Sequence, residues 1–262
     1  TALVGMLVAG FGTLAISFAV PSAANWADLI IYPLVFLPAT IFIIGEIRNQ
    51  REMSLIEPNR IPPTRPVNSK NFGKLGMTLS FIIIFFLIFT FNIATEPLYT
   101  WMGVPDFIKE FYDNMKLNPW SSFLTVVIFA PLFEELLCRG VILRGLLHHI
   151  TPAKAIFWSA LMFAVMHLNP WQALPAFMVG LLMGWIYWKT GSLLATIFIH
   201  FVNNGFSFMI TLLFPDMGAD ATFSSLMPFN QYIILYVFSI LFTIASLWYL
   251  KSNYDKSIST EV

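Results

Sequence analysis

Long runs of apolar residues, each bounded by charged residues, Pro or Asn, dominate the chain. A helix needs about 20 mostly apolar residues to cross a hydrocarbon core about 30 Å thick. By that criterion eight segments are candidate membrane spans: Ala2–Val20, Leu29–Gly45, Met77–Ala94, Trp120–Cys138, Ala153–Leu168, Trp171–Trp188, Ser192–Phe214 and Tyr232–Leu250. The pattern predicts an all-α fold, a polytopic membrane helix bundle with about eight transmembrane helices. Residues 1–262 would form a single integral membrane domain.

Three of these segments are preceded by the same start signal, a polar residue followed by Pro. The pairs are Asn118-Pro119, Thr151-Pro152 and Asn169-Pro170. Pro is favoured at the first position of a helix, because its missing N–H would have no partner there. We expect a helix to begin at each of the three prolines.

The first segment has two interpretations. Ser22, Ala23 and Ala24 follow it like a small-residue cleavage site, as in a signal peptide. No basic residues precede it, however, and its apolar run is longer than that of a signal peptide. We therefore expect a retained first helix.

The charged connecting segments orient the predicted bundle. Residues 46–76 form a connector rich in Lys and Arg: Arg48, Arg51, Arg60, Arg65, Lys70 and Lys74. Lys and Arg accumulate in cytoplasmic loops, so this connector is expected in the cytoplasm, and eight spans place both termini there too. On the opposite side, residues 95–118 carry apolar residues at helical spacing, which predicts an amphipathic helix at the outer membrane surface.

The composition agrees with a membrane protein and excludes other classes. The chain is 58% hydrophobic and 11% charged, whereas a soluble domain is about one quarter charged. Its formal net charge of zero gives no basic field for binding nucleic acid. The single cysteine, Cys138, excludes an internal disulfide and a Cys-rich zinc site. The expected surroundings are the bilayer of a cell membrane or of the endoplasmic reticulum.

A few polar side chains lie inside the predicted spans, where an ionised group costs about 2.5–3.5 kcal/mol on insertion scales. They are Glu134, Glu135 and Arg139 in the fourth segment, His167 in the fifth, and His200, Asn203 and Asn204 in the seventh. Three helices with such groups indicate one shared site. His148 and His149, which follow the fourth segment, are interpreted as a solvated helix terminus.

Helical spacing relates these side chains to one another. Glu135 and Arg139 are four residues apart, so they share a face and can form an ion pair, which need have only a structural role. Glu134 is turned about 100° from Glu135 and can face another group. His200 and Asn204 also share a face and can point together at one oxygen atom.

This set of side chains suits peptide hydrolysis in an intramembrane, water-filled cavity. Glu134 and His167 can take a proton from a water that attacks a carbonyl carbon. His200 and Asn204 can donate hydrogen bonds to the oxyanion that develops. Cys138 is disfavoured as a nucleophile because it lies in an apolar stretch.

His167 lies about 20 Å along a helix from Lys154, which is far from the cytoplasmic side. It can reach the other groups only if the fifth helix is tilted, starts outside the lipid, or ends in a turn at Asn169, Pro170 and Trp171 that is sunk below the outer surface. We expect the start outside the lipid and the sunken turn together.

These residues form three motifs that resemble those of a known family. Residues 134–139 (EELLCR) match EExxxR, residues 163–167 (FAVMH) match FxxxH, and residues 200–204 (HFVNN) match HxxxN. All three are motifs of the CAAX protease and bacteriocin-processing (CPBP) family. The resemblance covers about residues 134–204, and each motif lies on a predicted membrane helix.

The resemblance implies an intramembrane glutamate protease similar to type II CAAX prenyl endopeptidases. Such an enzyme removes the last three residues of a prenylated CAAX protein or peptide without a cofactor. The implied catalytic core is about residues 119–214. The implied roles are a catalytic carboxylate at Glu134, a partner in water activation at His167, an oxyanion hole at His200 and Asn204, and support from Glu135 and Arg139.

Two alternatives stay open at this point. Glu134, His167 and His200 with a water would make a catalytic zinc site, although the usual HExxH signature is absent. A transporter or a non-enzymatic bacteriocin-immunity protein could also carry an intramembrane polar cluster. Transporters often show repeated halves, and the sequence contains no such repeat.

Overall fold

A computed structural model describes residues 24–56, 67–214, 216 and 221–254. Throughout these residues the ordered elements are helices, and no β-strand occurs among them. The all-α prediction is therefore confirmed. The first predicted segment, Ala2–Val20, and the Pro-rich part of the connector lie outside the described residues.

Nine helical elements follow one another along the described chain. They are α1 (Ala24–Ile56), α2 (Gly76–Thr95), α3 (Asp106–Leu117), α4 (119–146), α5 (Pro152–Val165), α6 (Pro170–Thr190), α7 (Leu193–Leu213), α8 (Phe223–Leu226) and α9 (Phe229–Asn253). Short 3₁₀ turns, Gly73–Leu75 and Glu96–Leu98, flank α2.

Three helical stretches in the described residues are long and apolar enough to cross a membrane: Gly73–Leu98, Leu193–Leu213 and Phe229–Asn253. The two halves of α1, Ile31–Pro38 and Thr40–Asn49, make a fourth span if they are counted as one. They are bent by 41°, as expected of a helix with internal prolines. An integral membrane protein follows, whereas the count of eight spans and the cytoplasmic termini stay predictions.

The three predicted Pro starts are confirmed. Helices α4, α5 and α6 begin at Pro119, Pro152 and Pro170, respectively. At α6 a side chain also caps the helix, because Oδ1 of Asn169 accepts a hydrogen bond from the backbone N–H of Gln172 at 2.8 Å. This cap fixes the turn between α5 and α6.

The predicted amphipathic helix of the outer loop is present as α3. It buries Ile108 and Met115 and leaves the side chain of Phe107 56% exposed. On its polar face, the hydrogen bond from Nζ of Lys109 holds the pKa of Asp106 below its usual value. Its position at the membrane surface stays a prediction.

Two glycines allow α5 and α6 to pack closely. A Cβ atom added to Gly180 would lie 3.2 Å from the Cα atom of Ala160, and one added to Gly184 would lie 3.0 Å from Cγ2 of Ile156. Small residues four apart are typical of close helix packing in membranes. The two helices therefore form a tight hairpin, and the turn at its end carries His167.

The core lies between this hairpin and helices α2, α4, α7 and α9. Its most deeply buried apolar side chains are Ile84, Leu87, Ile88, Cys138, Met183, Ile186, Ile199 and Leu250. Burial of such side chains holds the helices that carry the polar groups in fixed relative positions.

Candidate active site

Helix α4 carries both glutamates and departs from regular α-helical geometry. It is π-helical over Phe123–Phe129, and the N–H of Ala130 donates to the carbonyl of Thr125, five residues back. In that register the partner of the Val126 carbonyl would be Pro131, which has no N–H. The carbonyl of Val126 therefore needs a donor from outside α4.

Asn204 on α7 supplies that donor. Its Nδ2 donates to the carbonyl oxygen of Val126 at 3.0 Å, and its Oδ1 accepts from Nδ2 of Asn203 at 3.2 Å. Oδ1 of Asn203 accepts in turn from Nδ2 of Asn92 on α2, at 2.9 Å. This chain of amides fixes the orientation of Asn204. An amide nitrogen carries two hydrogens, so Asn204 can still donate the second to a bound group.

Glu135 and Arg139 form the ion pair expected from their spacing. Nη1 of Arg139 donates to Oε1 of Glu135 at 2.7 Å, and both side chains are fully buried. Nη2 donates to the carbonyl of Gly180 on α6 at 2.9 Å, and the guanidinium lies 4.9 Å from the centre of the Phe163 ring. Oε1 of Glu135 also accepts from Nδ1 of His200 at 3.1 Å. The ion pair therefore connects α4 with α5, α6 and α7.

Glu134 faces a different set of groups from Glu135. Its Oε1 accepts a hydrogen bond of 2.5 Å from the hydroxyl of Tyr32 on α1. Its Oε2 lies 4.0 Å from Nε2 of His200, and the side chain is 15% exposed. The imidazole of His200 thus lies between the two glutamates, with one ring nitrogen directed to each.

His167 lies in the turn after α5, which ends at Val165. Its Nδ1 hydrogen-bonds the carbonyl of Phe163 at 2.9 Å. Nδ2 of Asn169 donates to the carbonyl of His167 at 2.8 Å, so the helix cap also closes this turn. The expected turn is therefore present and holds His167 by its backbone and by its ring.

The turn contains a strained residue. Leu168 has φ of 57°, and among the described residues it is the non-glycine residue with a positive φ. This left-handed conformation costs a side-chain-bearing residue about 1–2 kcal/mol. The Leu168 side chain is 79% exposed, so packing does not explain the choice of residue.

The effect of a substitution at Leu168 on stability is expected to depend on how well the new residue adopts a positive φ. Leu168→Gly should leave the melting temperature unchanged or raise it, because glycine adopts a positive φ without steric cost. Leu168→Val should lower it, because a β-branched residue is an outlier there. Thermal unfolding of the three proteins in the same detergent tests this order. A glycine variant less stable than the valine variant would contradict it.

The ring of Phe163 brings the two imidazoles together. It packs edge-on against His167, with centroids 5.1 Å apart, and edge-on against His200, with centroids 5.4 Å apart. Both are favourable aromatic geometries. The phenyl ring of Phe163 thus contacts His167 of its own motif, Arg139 of the first motif and His200 of the third.

The hydrogen-bond acceptors decide which ring nitrogens carry protons. A backbone carbonyl can only accept, so Nδ1 of His167 is protonated and its Nε2 is a proton acceptor when the ring is neutral. A carboxylate also accepts only, so Nδ1 of His200 is protonated. Nε2 of His200 can then donate only when the ring is an imidazolium.

The segment that contains these residues matches a known family. The family model for "Type II CAAX prenyl endopeptidase Rce1-like" proteins matches residues 116–206. Over these residues the chain is similar to Rce1-like proteins. The resemblance inferred from the three motifs is thereby confirmed. The comparisons with curated proteins and with solved structures found no match.

The match to Rce1-like proteins supports a membrane protease of the CAAX type in general. All six predicted site residues lie in the matched segment: Glu134, Glu135, Arg139, His167, His200 and Asn204. Tyr32 and Asn92 contact the site from outside that segment, and sequence analysis missed both. Asn92 could have been found from the sequence, because a side-chain amide is unusual in an apolar span. Tyr32 could not, because a tyrosine in such a span is not unusual.

Three other residues considered in the sequence, Cys138, His148 and His149, lie in apolar or terminal positions. Cys138 is fully buried, with its Sγ 3.9 Å from Sδ of Met166, as expected of a packing residue. His148 and His149 follow the end of α4 at Leu146, in agreement with a helix terminus. In the described part of the chain, no three His, Cys, Asp or Glu side chains are grouped to hold a metal ion.

Proposed function

We propose that this protein is an intramembrane endopeptidase that removes the C-terminal three residues of a prenylated CAAX-type protein or peptide. The match to Rce1-like proteins supports CAAX-type membrane protease activity in general. The observation that carries the finer proposal is the position of His200. Its ring lies between Glu134 and Glu135 and shares the phenyl ring of Phe163 with His167.

In this proposal, the reacting water lies between Oε2 of Glu134 and Nε2 of His167. Oε2 of Glu134 is buried and has no hydrogen-bond partner among the described residues, and a water would satisfy it. Nε2 of His167 is a proton acceptor in the tautomer that its Nδ1 contact requires. Each of the two groups can accept a proton from that water, as general-base catalysis requires.

The proposed reaction is amide hydrolysis by that water. The base takes one proton while the water oxygen bonds to the scissile carbonyl carbon, and the carbonyl oxygen becomes an oxyanion. The C–N bond then breaks, and the proton passes from the base to the leaving amine of the tripeptide. The prenylated product keeps the water oxygen in a new carboxylic acid, which loses its remaining proton to solvent and becomes a carboxylate.

His200 and Asn204 are the proposed donors to the oxyanion. Asn204 has its second amide hydrogen for this purpose, while the Val126 carbonyl holds the first. His200 can donate through Nε2 as an imidazolium. Glu135 and Arg139 would then hold His200 in place rather than touch the substrate.

The substrate class is tested by cleavage of a defined peptide. Purified protein in detergent or nanodiscs is incubated with a farnesylated CAAX peptide and with the same peptide lacking the prenyl group. We expect release of the C-terminal tripeptide from the farnesylated peptide only, detected by mass spectrometry. Cleavage of both peptides alike would contradict the prenyl requirement, and cleavage of neither would favour the non-enzymatic alternative.

The same assay separates the metal-free mechanism from the zinc mechanism. Activity is measured after treatment with a strong chelator and again after addition of zinc. We expect activity to resist the chelator, because the proposed water is activated by a carboxylate and an imidazole. Loss of activity that zinc restores would establish the zinc mechanism instead.

A further inference from the structure

We infer that Tyr32 is a positioning residue for Glu134, one that orients the proposed catalytic carboxylate toward the reacting water. The inference rests on the proposed function and extends it to α1, outside the segment that the family model matches. Tyr32 belongs to none of the three motifs. Its role follows from what its hydroxyl does to the two oxygens of Glu134.

The hydroxyl of Tyr32 makes the two carboxylate oxygens unequal. Oε1 accepts the hydrogen bond from the phenol, whereas Oε2 is directed to the side of His200, 4.0 Å from Nε2. A carboxylate turns readily about its last torsion angle, whose energy profile is broad. One hydrogen bond to Oε1 therefore fixes this torsion angle and keeps Oε2 on the side of His200. A charged acceptor makes this bond stronger than a neutral one.

The packing of α1 against α4 holds Tyr32 in position. One turn along α1, Phe36 is 6% exposed and stacks on Phe133, the neighbour of Glu134, with centroids 5.8 Å apart and planes at 17°. The ring of Tyr32 packs on Phe36 with centroids 5.4 Å apart. Further along, Ile43 is 3% exposed and meets α4 at Gly140. These contacts fix the phenol without using its hydroxyl.

Because the ring packs independently of the hydroxyl, Tyr32→Phe removes only the hydrogen bond. We expect kcat to fall about 10- to 100-fold, as for loss of a hydrogen bond to a charged group. KM and the melting temperature should stay within error, because neither the substrate nor the packing loses a contact. Tyr249→Phe makes the same chemical change at an exposed position of α9 and should leave all three values unchanged.

Each other outcome overturns the inference. An unchanged kcat would show that Glu134 is oriented without the phenol. A raised KM with normal kcat would place Tyr32 against the substrate, and a large loss of melting temperature would make its role structural. Failure of the proposed function is recognised separately, whatever Tyr32→Phe does: the unsubstituted protein would not cleave the farnesylated peptide, or Glu134→Gln would cleave it normally.

Discussion

Glu134→Gln is expected to abolish cleavage of the farnesylated peptide while leaving the fold intact. Glutamine cannot take a proton from water, and loss of a general base costs about 10²- to 10⁴-fold in kcat. The amide oxygen can still accept the hydrogen bond from Tyr32, so the packing of α1 on α4 is kept. The measurements are kcat with the farnesylated peptide and the melting temperature in detergent.

Glu110→Gln is the matched control for this change. Glu110 is exposed on α3, outside the candidate site, so both its kcat and its melting temperature should equal those of the unsubstituted protein. Normal cleavage by Glu134→Gln would remove the catalytic assignment of Glu134. A Glu134→Gln protein that no longer folds would instead show that the carboxylate mainly stabilises the helix packing.

The second large effect is expected from breaking the buried ion pair. Arg139→Met keeps an unbranched apolar stem but leaves Glu135 buried without its guanidinium. Removal of one partner of a buried pair destabilises a protein by about 3–5 kcal/mol. The hydrogen bond to the Gly180 carbonyl on α6 is lost as well. We expect a large drop in melting temperature, and a loss of activity at temperatures where the variant unfolds.

Arg48→Met provides the comparison on the protein surface. Arg48 and Glu52 are also four residues apart, with a hydrogen bond of 2.8 Å, but their side chains are 81% and 55% exposed. Exposed pairs of this kind seldom contribute measurably to stability, so no change is expected. Equal melting temperatures for Arg139→Met and Arg48→Met would show that burial adds nothing to the inner pair.

Several features of the site could be predicted because they depend on helical spacing alone. Glu135 and Arg139 are four residues apart on one helix, so their ion pair follows from the local geometry once the helix forms. The Pro starts of α4, α5 and α6 likewise depend on two adjacent residues. The turn that holds His167 follows from Asn169 and Pro170, which end one helix and begin the next.

Contacts between distant helices could not be predicted in the same way. The hydroxyl of Tyr32 meets Glu134 across 102 positions of the sequence, and Asn92 meets Asn203 across 111. Such contacts depend on how whole helices cross, which their apolar faces determine together. The π-helical parts of α4 were also missed, although Pro131 gave a reason to expect an irregularity there.

The close fit of α5 and α6 has a consequence for how this site can tolerate sequence change. Phe163 on α5 and the carbonyl of Gly180 on α6 both contact the guanidinium of Arg139, so the position of that side chain depends on the gap between the two helices. Gly180 and Gly184 keep that gap narrow through the lack of a side chain. A related sequence can therefore keep this site only if it keeps small residues at these two positions, although neither side chain takes part in the reaction.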